Sequence, residues 1–490
     1  MDEKKVLKKN LWMFPLGTVG RDMVYNLVTN FLLTYILFTK GLDAAQLGAI
    51  TAIMVAARVF DALNDPIMGN LIEMTHTRWG KFKPWLLAGI LLTSVVVVMV
   101  FASDLRGWDF VILFGVFYFS YSIAYTMHDI SYWGMVPALS SDASARDQIT
   151  SRATLFAGIG GTLASIVIPM VTTGSSAIGG STNTAYKVVA IAVCVLAPLF
   201  QAFTLFGAQE HRETKKPEKS SGGLKKIVHT VMHNDQLRWI AIIFLIQQVG
   251  NGIVIGGLGS TYIYFEYGYE GGLYSLFTTV GMSATAFLMV FYPAISRKIQ
   301  RKPLMNIMAV ISVVGYVLMI GSRMIPSIGF LLLVTGYMLS NFGQYCYYLI
   351  MMISIINTVE YNELKTGARD EAIIASVRPF MTKMASALIV MITTGSYMMF
   401  DVTKYTNQIS DFESASASGL ITEAEKLSSI QNVLSGVESS QSLGLLLCMT
   451  ILPCVLMLIS NALYQKHYKL DETEYERICA EIEASKGEAA

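Results

Sequence analysis

The amino-acid sequence predicts an all-α polytopic membrane protein, with twelve transmembrane helices arranged as two six-helix bundles. Hydrophobic residues make up 53% of its 490 residues and charged residues only 14%, a balance that is too apolar for a soluble globular protein. Apolar stretches of about 20 residues, the length of a membrane-spanning helix, recur along the whole chain. They lack the short alternating segments that are typical of a membrane β-barrel.

Six of these stretches form the predicted first bundle. They cover residues 12-38, 46-72, 84-103, 109-136, 151-173 and 186-208. The first stretch is too long for the apolar core of a signal peptide and contains Arg21 and Asp22, so we expect it to be retained as a helix. The third begins at Pro84, a residue that suits the first turn of a helix.

The segment 209-236 is polar, charged and interrupted by proline and glycine, which predicts a linker between two halves. The second bundle follows at 237-265, 272-295, 304-322, 328-357, 372-399 and 442-465. The predicted domains are therefore 1-208 and 237-466 around the linker, with a tail at 467-490. The glycine-rich GNGIVIGGLGS in the seventh span lacks the preceding strand of a nucleotide-binding loop, so we expect a tightly packed helical segment there.

The basic residues predict how the helices are oriented. If both termini are cytoplasmic, 25 of the 36 lysines and arginines fall in cytoplasmic segments. The outer segments hold six, namely Lys40, Arg106, Lys187, Arg323, Lys404 and Lys426. The positive-inside rule thus favours cytoplasmic termini, and we expect a monomer in a bacterial inner membrane, in direct contact with the lipid bilayer.

The sequence gives little support for catalysis, metal clusters or nucleic-acid binding. The five cysteines form no CxxC pair and have no histidine cluster beside them, so neither disulfides nor a Cys/His metal site is expected. A net charge of +1 and short basic loops do not indicate a nucleic-acid partner. No histidine is spaced to activate a nucleophile, so we expect no enzyme activity and no cofactor.

The second span carries three charges on one helix face. Arg58, Asp61 and Asp65 follow an i, i+3, i+7 spacing. Each charge at membrane depth costs at least about 2.5 kcal/mol, so such residues normally line a protein interior or an aqueous path. Two carboxylates one turn apart repel each other and attract a cation, and oxygen ligands suit a hard ion such as Na+. The alternative is a buried ion network with a purely structural role.

Four motifs resemble those of the glycoside, pentoside and hexuronide cation symporters of the major facilitator superfamily. They are DALNDPIMG at 61-69, TRWGKFKPW at 77-85, YTMHDISYWGMVP at 125-137 and NELKTGARDEA at 362-372. The resemblance covers most of the chain. It implies the major facilitator fold, alternating access, and uptake of a sugar substrate coupled to a monovalent cation: Na+, Li+ or H+.

The resemblance also implies a cation site. In the family, the second-helix carboxylates hold the coupling cation, and they match Asp61 and Asp65, which would be the metal ligands if the cation is Na+. Asn64 matches the position associated with cation choice, and Thr126 matches a hydroxyl of the same site. Lys383, in the eleventh span, matches a lysine that balances the carboxylates when the cation is absent.

Sugar contacts are implied on the first and fourth spans. Asp22 and Asp129 match sugar-binding acids of the family, Arg21 matches a neighbouring basic position, and Trp133 matches a stacking aromatic residue. Tyr125, Asp129 and Trp133 recur every four residues and so share a helix face. Carboxylates accept hydrogen bonds from sugar hydroxyls, and an indole ring packs on the apolar face of a pyranose. The alternative for the aromatic residues is simple packing.

Two further arginines are predicted sugar contacts and leave the substrate class open. Arg378 departs from the family pattern, and Arg152 lies close to a sugar-site arginine of the family. Two guanidinium groups in the cavity would suit the carboxylate of a hexuronide. The alternative is that one of them pairs with an intramembrane acid and the other lies at the cytoplasmic edge of the membrane.

The sequence also allows other functions. A lysolipid carrier of similar fold or a sugar sensor that does not transport would share the charged second helix. The loops 73-83 and 361-371 mix acids with bases and are candidate cytoplasmic gates. An outer segment at 401-441 is rich in serine and acidic residues and has a weak helical pattern at 421-435.

Overall fold

A computed structural model describes residues 3–140, 142–210 and 224–488, and every regular element within these ranges is a helix. The helices are α1 Glu3–Asn26, α2 Leu32–Thr39, α3 Ala44–Glu73, α4 Lys83–Phe101, α5 Gly107–Leu139, α6 Ala143–Thr172, α7 Thr182–Ala202, α8 Leu224–His233, α9 Asp235–Gly252, α10 Gly259–Tyr267, α11 Gly271–Ser296, α12 Arg301–Gly321, α13 Gly329–Ile356, α14 Thr358–Thr366, α15 Glu371–Met399, α16 Val402–Ala417, α17 Glu423–Ser435, α18 Ser439–His467 and α19 Glu472–Glu488. The predicted all-α class is confirmed.

Ten helices in the described ranges are long and apolar enough to cross a membrane, and the bent helix α11 makes eleven. The predicted first span, 12-38, is not among them, although α1 and α2 cover it. A π-helical turn at Leu27–Phe31 joins these two helices, and Arg21, Asp22, Asn26 and Asn30 make this stretch more polar than its neighbours. The count of twelve therefore remains a prediction for this stretch.

The described residues form two compact units. The first draws on Met1–Lys215, Ile255–Thr278 and Val390–Ser442, and the second on Lys216–Val254, Thr279–Ile389 and Leu443–Ala490. The predicted division at 209-236 stays a prediction, because 13 residues of that linker, 211–223, lie outside the described residues. The end of the linker forms α8.

Close backbone contacts fix α1 in the first unit. A Cβ atom added at Gly160 on α6 would lie 2.2 Å from the carbonyl oxygen of Val19, and one at Gly20 would lie 2.5 Å from the Cα atom of Ala197 on α7. Small residues allow membrane helices to approach this closely. As a result, the part of α1 that carries Arg21 has neighbours on two sides.

The glycine-rich stretch of the seventh predicted span interrupts the helix. A π-helical segment at Val254–Leu258 separates α9 from α10, and Gly257 has a φ of +125°, which favours glycine. A Cβ atom there would lie 2.8 Å from the hydroxyl of Tyr397. The expectation of tight packing is confirmed, but the helix is not continuous.

The outer segment 401-441 contains two helices. The weak pattern at 421-435 corresponds to α17, which begins with a capping box because Thr422 Oγ1 accepts from the backbone of Glu425, whose carboxylate accepts in return from the backbone of Thr422. Helix α16 was not predicted. It belongs to the first unit together with α17.

In the second unit, glycines bring α12 and α13 into backbone contact. A Cβ atom added at Gly315 would lie 2.5 Å from Gly336 O and 2.5 Å from Ser340 N. We expect Gly315→Ala to lower the stability of the protein by about 1–3 kcal/mol, because backbone atoms cannot rotate away from the added carbon. Thermal unfolding of the detergent-solubilised protein would measure this as a lower Tm.

Gly321→Ala is the matched control on the same helix, because a Cβ atom at Gly321 would have no atom within 4 Å. Alanine is the better helix former, so this change is expected to be neutral or slightly stabilising. An equal Tm for both variants would show that the α12–α13 contact tolerates a side chain.

Candidate functional site

A charged cluster joins α1 to α5 in the first unit. The Arg21 side chain, 5% exposed, lies with Nη2 at 2.8 Å from Asp22 Oδ2 and Nη1 at 3.0 Å from Asp129 Oδ1. Its Nε donates to the same oxygen of Asp22 at 2.9 Å. One buried guanidinium is thus shared by two carboxylates. The Asp129 side chain is 39% exposed, so this carboxylate keeps oxygen lone pairs available to a ligand.

Aromatic rings lie next to the charged cluster. The guanidinium carbon of Arg21 is 5.5 Å from the ring centre of Trp133 and 5.2 Å from that of Tyr132. Tyr125 stacks on Tyr25 with 5.2 Å between ring centres. The structure therefore brings the predicted residues Arg21, Asp22, Asp129 and Trp133 together, and it adds Tyr25, which the sequence reasoning missed.

The two carboxylates of α3 each contact a hydroxyl of α5. Asp61, 4% exposed, accepts a hydrogen bond from Ser122, and Asp65 Oδ1 accepts from Thr126 Oγ1 at 3.4 Å. Asp61 and Asp65 are one helical turn apart on α3, and Ser122 and Thr126 are one turn apart on α5. The two acids and the two hydroxyls therefore form two facing rows. Ser122 was missed, although its spacing of four residues from Thr126 repeats the spacing of Asp61 from Asp65.

Arg58 and Asn64 complete the description of this region of α3. Arg58 Nη1 is 3.5 Å from Asp61 Oδ2, with side chains 15% and 6% exposed. The buried Asn64 Nδ2 atom has no hydrogen-bond partner among the described residues. The predicted common face of Arg58 and Asp61 is thus observed as an ion pair. The other polar groups described in this region are carboxylate and hydroxyl oxygens and the Asn64 amide.

The two other predicted arginines have local partners. Arg152 donates to Leu11 O at 3.4 Å and lies 4.9 Å from the ring centre of Trp12. Residues 11 and 21 are about 15 Å apart along α1, so these contacts are separate from the Arg21 cluster. Arg378 belongs to the second unit, where it donates to the hydroxyl of Tyr348 at 3.2 Å. Their roles in sugar binding remain predictions.

Polar residues of the second unit mainly join helices. Gln247 Nε2 on α9 donates to Gln344 O on α13 at 2.9 Å, and Gln344 donates to Tyr316 on α12 at 3.1 Å. Asn341 donates to Gly281 O at 3.0 Å. These bonds favour the interpretation of these residues as interhelical contacts. Lys383 also lies in this unit, on α15, and its assignment to the cation site remains a prediction.

The candidate gating loops contain ion pairs within each loop region. Lys81 Nζ lies 2.7 Å from Glu73 Oε2 in the first unit. In the second unit, Arg369 pairs with three acids: Glu360 at 2.8 Å, Glu363 at 3.0 Å, and Glu371. These pairs shape each loop on its own, and the gating role remains a prediction.

Several curated proteins are similar to this chain. A lactose permease of Lactobacillus helveticus is 30% identical over 398 residues, which is 76% of this chain and 60% of that protein. A raffinose carrier protein of Pediococcus pentosaceus is 26% identical over 96% of this chain and 71% of its own length. An isoprimeverose transporter of Lactiplantibacillus pentosus is 24% identical over 77% of this chain and 78% of its own. The chain thus spans 60% of the length of the lactose permease.

Solved structures of two transporters have a fold similar to that of this chain. A D-xylose–proton symporter matches with a TM-score of 0.57 and 13% identity, over 86% of this chain and 99% of that one. A nucleoside transporter, NupG, matches with a TM-score of 0.55 and 14% identity over 93% and 99%. At these identities, the likeness concerns the fold alone.

The family comparison agrees with the motifs at 61-69 and 125-137. Residues 13–472 match the family described as MFS/sugar transport protein, which covers nearly the whole chain and confirms the resemblance drawn from its motifs. The matched region includes the Arg21 cluster and both facing rows of α3 and α5. The chain belongs to the MFS/sugar transport protein family.

Proposed function

We propose that the protein is a secondary active transporter that carries a neutral glycoside across a bacterial inner membrane together with a monovalent cation. One observation carries the proposal: α5 contributes to both candidate sites. Its hydroxyls at Ser122 and Thr126 contact the α3 carboxylates, and its Asp129 contacts Arg21. Thr126 and Asp129 are three residues apart, or about 4.5 Å along the helix axis.

The cation is proposed to bind between α3 and α5. Asp61, Asp65, Ser122 and Thr126 offer carboxylate and hydroxyl oxygens, the ligands that a hard ion such as Na+ prefers. A proton on one of the two carboxylates would relieve the same repulsion. The cation is cargo in this scheme, and its arrival removes the unfavourable charge density that the two acids create.

The sugar is proposed to bind at Asp129 and the adjacent aromatic rings. The exposed carboxylate accepts hydrogen bonds from sugar hydroxyls, and Trp133 and Tyr125 supply faces for the apolar side of the ring. With both acids ionised, the Arg21 cluster carries a net negative charge, because two carboxylates share one guanidinium. This charge disfavours a uronide carboxylate and supports a neutral glycoside.

Coupling follows from the shared helix. A cation that ties α3 to α5 orders the part of α5 that carries the sugar contacts, so cation binding tightens sugar binding. Thermodynamic linkage requires that the sugar tighten cation binding by the same factor. The loaded carrier then exchanges between the two facings of an alternating-access cycle.

Three alternatives give different results in one uptake experiment. Vesicles containing the protein would be offered labelled neutral glycosides, hexuronides and lysolipids, with and without a Na+ gradient at fixed pH. Glycoside accumulation driven by Na+ or by a proton gradient supports the proposal. Preferred uptake of a hexuronide would show that the substrate is a uronide and not a neutral glycoside. Lysolipid uptake alone would indicate a lipid carrier, and sugar binding without flux would indicate a sensor.

Asp65→Cys is expected to abolish cation-stimulated uptake while leaving the protein folded. The exchange removes one of two carboxylate ligands and the hydrogen-bond acceptor of Thr126, so the cation no longer gains by binding between α3 and α5. Initial rates of sugar uptake with and without the cation gradient measure the effect. Stimulation as large as in the wild-type protein would refute the assignment.

Two serines of α5, one at the proposed cation site and one outside it, provide a test that keeps both carboxylates. Ser122→Ala removes a proposed cation ligand, the hydroxyl that donates to Asp61. Because an interaction of a hydroxyl with a charged group contributes about 1.5–3 kcal/mol, we expect the cation concentration for half-maximal stimulation to rise at least tenfold. Ser120→Ala is the control, since that hydroxyl bonds only to Val116 O in the described structure.

A further inference from the structure

A cavity of about 420 Å³ lies in the first unit, away from the sites proposed above. Its walls come from the end of α2, the loop before α5, the start of α7 and the end of α16. The chemically active groups among its lining residues are Lys40, Asp104, Arg106, Asn183, Lys187 and Ser414, a set that we call the basic cavity. The predicted orientation of the chain places it on the outer face. A volume of this size is typical of small-molecule sites.

Lys40 brings a buried ammonium group to the basic cavity. The residue is 4% exposed, and its ammonium donates to Ser103 O and lies 4.7 Å from the ring centre of Phe110. An ammonium has three protons to donate, so the bond to Ser103 leaves two. Burial is costly for a charged group unless it is paired, which makes an anionic occupant favourable here.

Arg106 and Asn183 are held in place by α16. Arg106 Nη1 lies 3.1 Å from Asp411 Oδ1, and its Nη2 donates to Ser410 O at 3.1 Å and to the hydroxyl of Ser414. Asn183 Nδ2 also donates to Ser414 Oγ at 3.1 Å. Because this hydroxyl oxygen accepts two bonds, its own proton is available to donate to an occupant.

The remaining groups define what an occupant must offer. Lys187 is exposed on the cavity wall and makes no ion pair within the described ranges, and the buried Asn183 Oδ1 atom has no hydrogen-bond donor there. Three cations therefore face the carboxylates of Asp104 and of Asp411, the partner of Arg106. An anion with a neighbouring hydroxyl would satisfy both the surplus of donors and the unused Asn183 acceptor.

We propose that the basic cavity binds a small oxyanion, a carboxylate or phosphate that carries an adjacent hydroxyl group. The proposal does not depend on the proposed transport function, because no residue of the Arg21 cluster or of the α3–α5 rows lines the cavity. An occupant would join α2, α7 and the loop before α5 to α16, and so would stabilise the position of the outer segment. The occupant could be a free metabolite or the headgroup of a glycerophospholipid.

The charge state of Lys40 gives the proposal a pH signature. Burial lowers the pKa of Lys40 to about 8, against the opposing effect of Asp104 and with a smaller lowering effect of Arg106. Lys187 and Asp411 are the other charged groups at this cavity and its rim, on α7 and α16. Oxyanion affinity is therefore expected to fall as the pH rises through 8, because the ammonium loses its proton.

Calorimetry on the purified full chain tests the basic cavity. The Asp129→Ala background removes binding at the proposed sugar site, and the probes are glucuronate, glycerol 3-phosphate and neutral glucose. We expect saturable binding of at least one of the two anions, with glucose inactive. Lys187→Met should weaken the anion at least tenfold, whereas Lys404→Met, which removes an exposed outer lysine outside the cavity, should not.

The outcomes separate the possible sources from a failure. Glycerol 3-phosphate binding that is lost in phosphatidylglycerol vesicles identifies a lipid headgroup, and glucuronate binding that persists in them identifies a soluble anion. Absence of anion binding, or an equal loss in Lys187→Met and Lys404→Met, would overturn the proposal. Because these measurements do not involve transport, sugar uptake by the wild-type protein can succeed while this proposal fails.

Discussion

Asp129→Asn is expected to abolish sugar uptake. The exchange keeps the size of the side chain but replaces a charged acceptor with a neutral amide. Hydrogen bonds to charged groups contribute about 1.5–3 kcal/mol each, and a sugar would make two of them to this carboxylate. We therefore expect sugar affinity to fall by about 100-fold or more. Binding of labelled sugar to the purified protein measures the loss directly, and uptake into vesicles measures its consequence.

The structure limits the side effects of this exchange. Arg21 keeps two close contacts with Asp22, at 2.8 and 2.9 Å, so its charge remains paired when Asp129 becomes neutral. The proposed cation ligands Asp65 and Thr126 bond to each other and not to Asp129. Cation binding should therefore persist. Unchanged sugar affinity would show that the assignment of Asp129 is wrong, and loss of the cation together with the sugar would contradict the separation of the two sites.

Asp109→Asn is the matched control for the loss of a charge on this helix. Asp109 lies in the first turn of α5 and is exposed. It loses the same charge without touching the Arg21 cluster. Wild-type uptake in this control together with normal folding of Asp129→Asn would attribute the loss to the sugar site.

The sequence predicted the membrane helices well because each span needs a run of about 20 mostly apolar residues, which the sequence shows directly. Lys83–Phe101 and Ser439–His467, for example, lie close to the predicted 84-103 and 442-465. The breaks in the helices were harder to predict. The π-helical turn at Leu27–Phe31 depends on backbone hydrogen bonding, which has no clear sequence signal.

The residues of the candidate site were predictable where a charge stands out in an apolar helix. Arg21, Asp22 and Asp129 are such charges, their assignment to the sugar site came from the family resemblance, and the structure places them in contact. Ser122 and Tyr25 were missed because a serine or a tyrosine is ordinary in a membrane helix. Their importance comes from a partner on another helix, Asp61 or Tyr125, and such pairing requires the three-dimensional arrangement.

Helix α16 of the outer segment could not be predicted from the sequence either. Helix α16 is too polar for an apolar pattern to reveal it, yet Glu413 within it is fully buried. The backbone N–H of Thr182 donates to Glu413 Oε2 at 2.6 Å, and Lys426 of α17 lies 3.6 Å from the same oxygen. Glu413 is buried by partners outside its own helix, one of them 231 positions away in sequence, so composition alone could not predict it.

Lys426→Met is expected to release the outer segment from the rest of the first unit. The side chains of Lys426 and Glu413 are both 0% exposed, and the ammonium also donates to Gly180 O at 2.7 Å. Removing one partner of a buried pair leaves an uncompensated charge and costs about 3–5 kcal/mol. Amide hydrogen exchange in α16 and α17, together with limited proteolysis of the outer segment, should therefore become much faster than in the wild-type protein.

A double variant separates the pair from a simple packing defect. Combining Glu413→Gln with Lys426→Met removes both charges, and the amide oxygen introduced by Glu413→Gln could still accept from Thr182, so most of the lost protection should return. Lys404→Met controls for the loss of an exposed lysine in the same segment and should exchange as the wild type does. If Lys426→Met leaves exchange unchanged, the buried pair does not hold the segment. If the double variant exchanges as fast as Lys426→Met, the loss comes from packing, because an unpaired Glu413 charge would no longer be present to explain it.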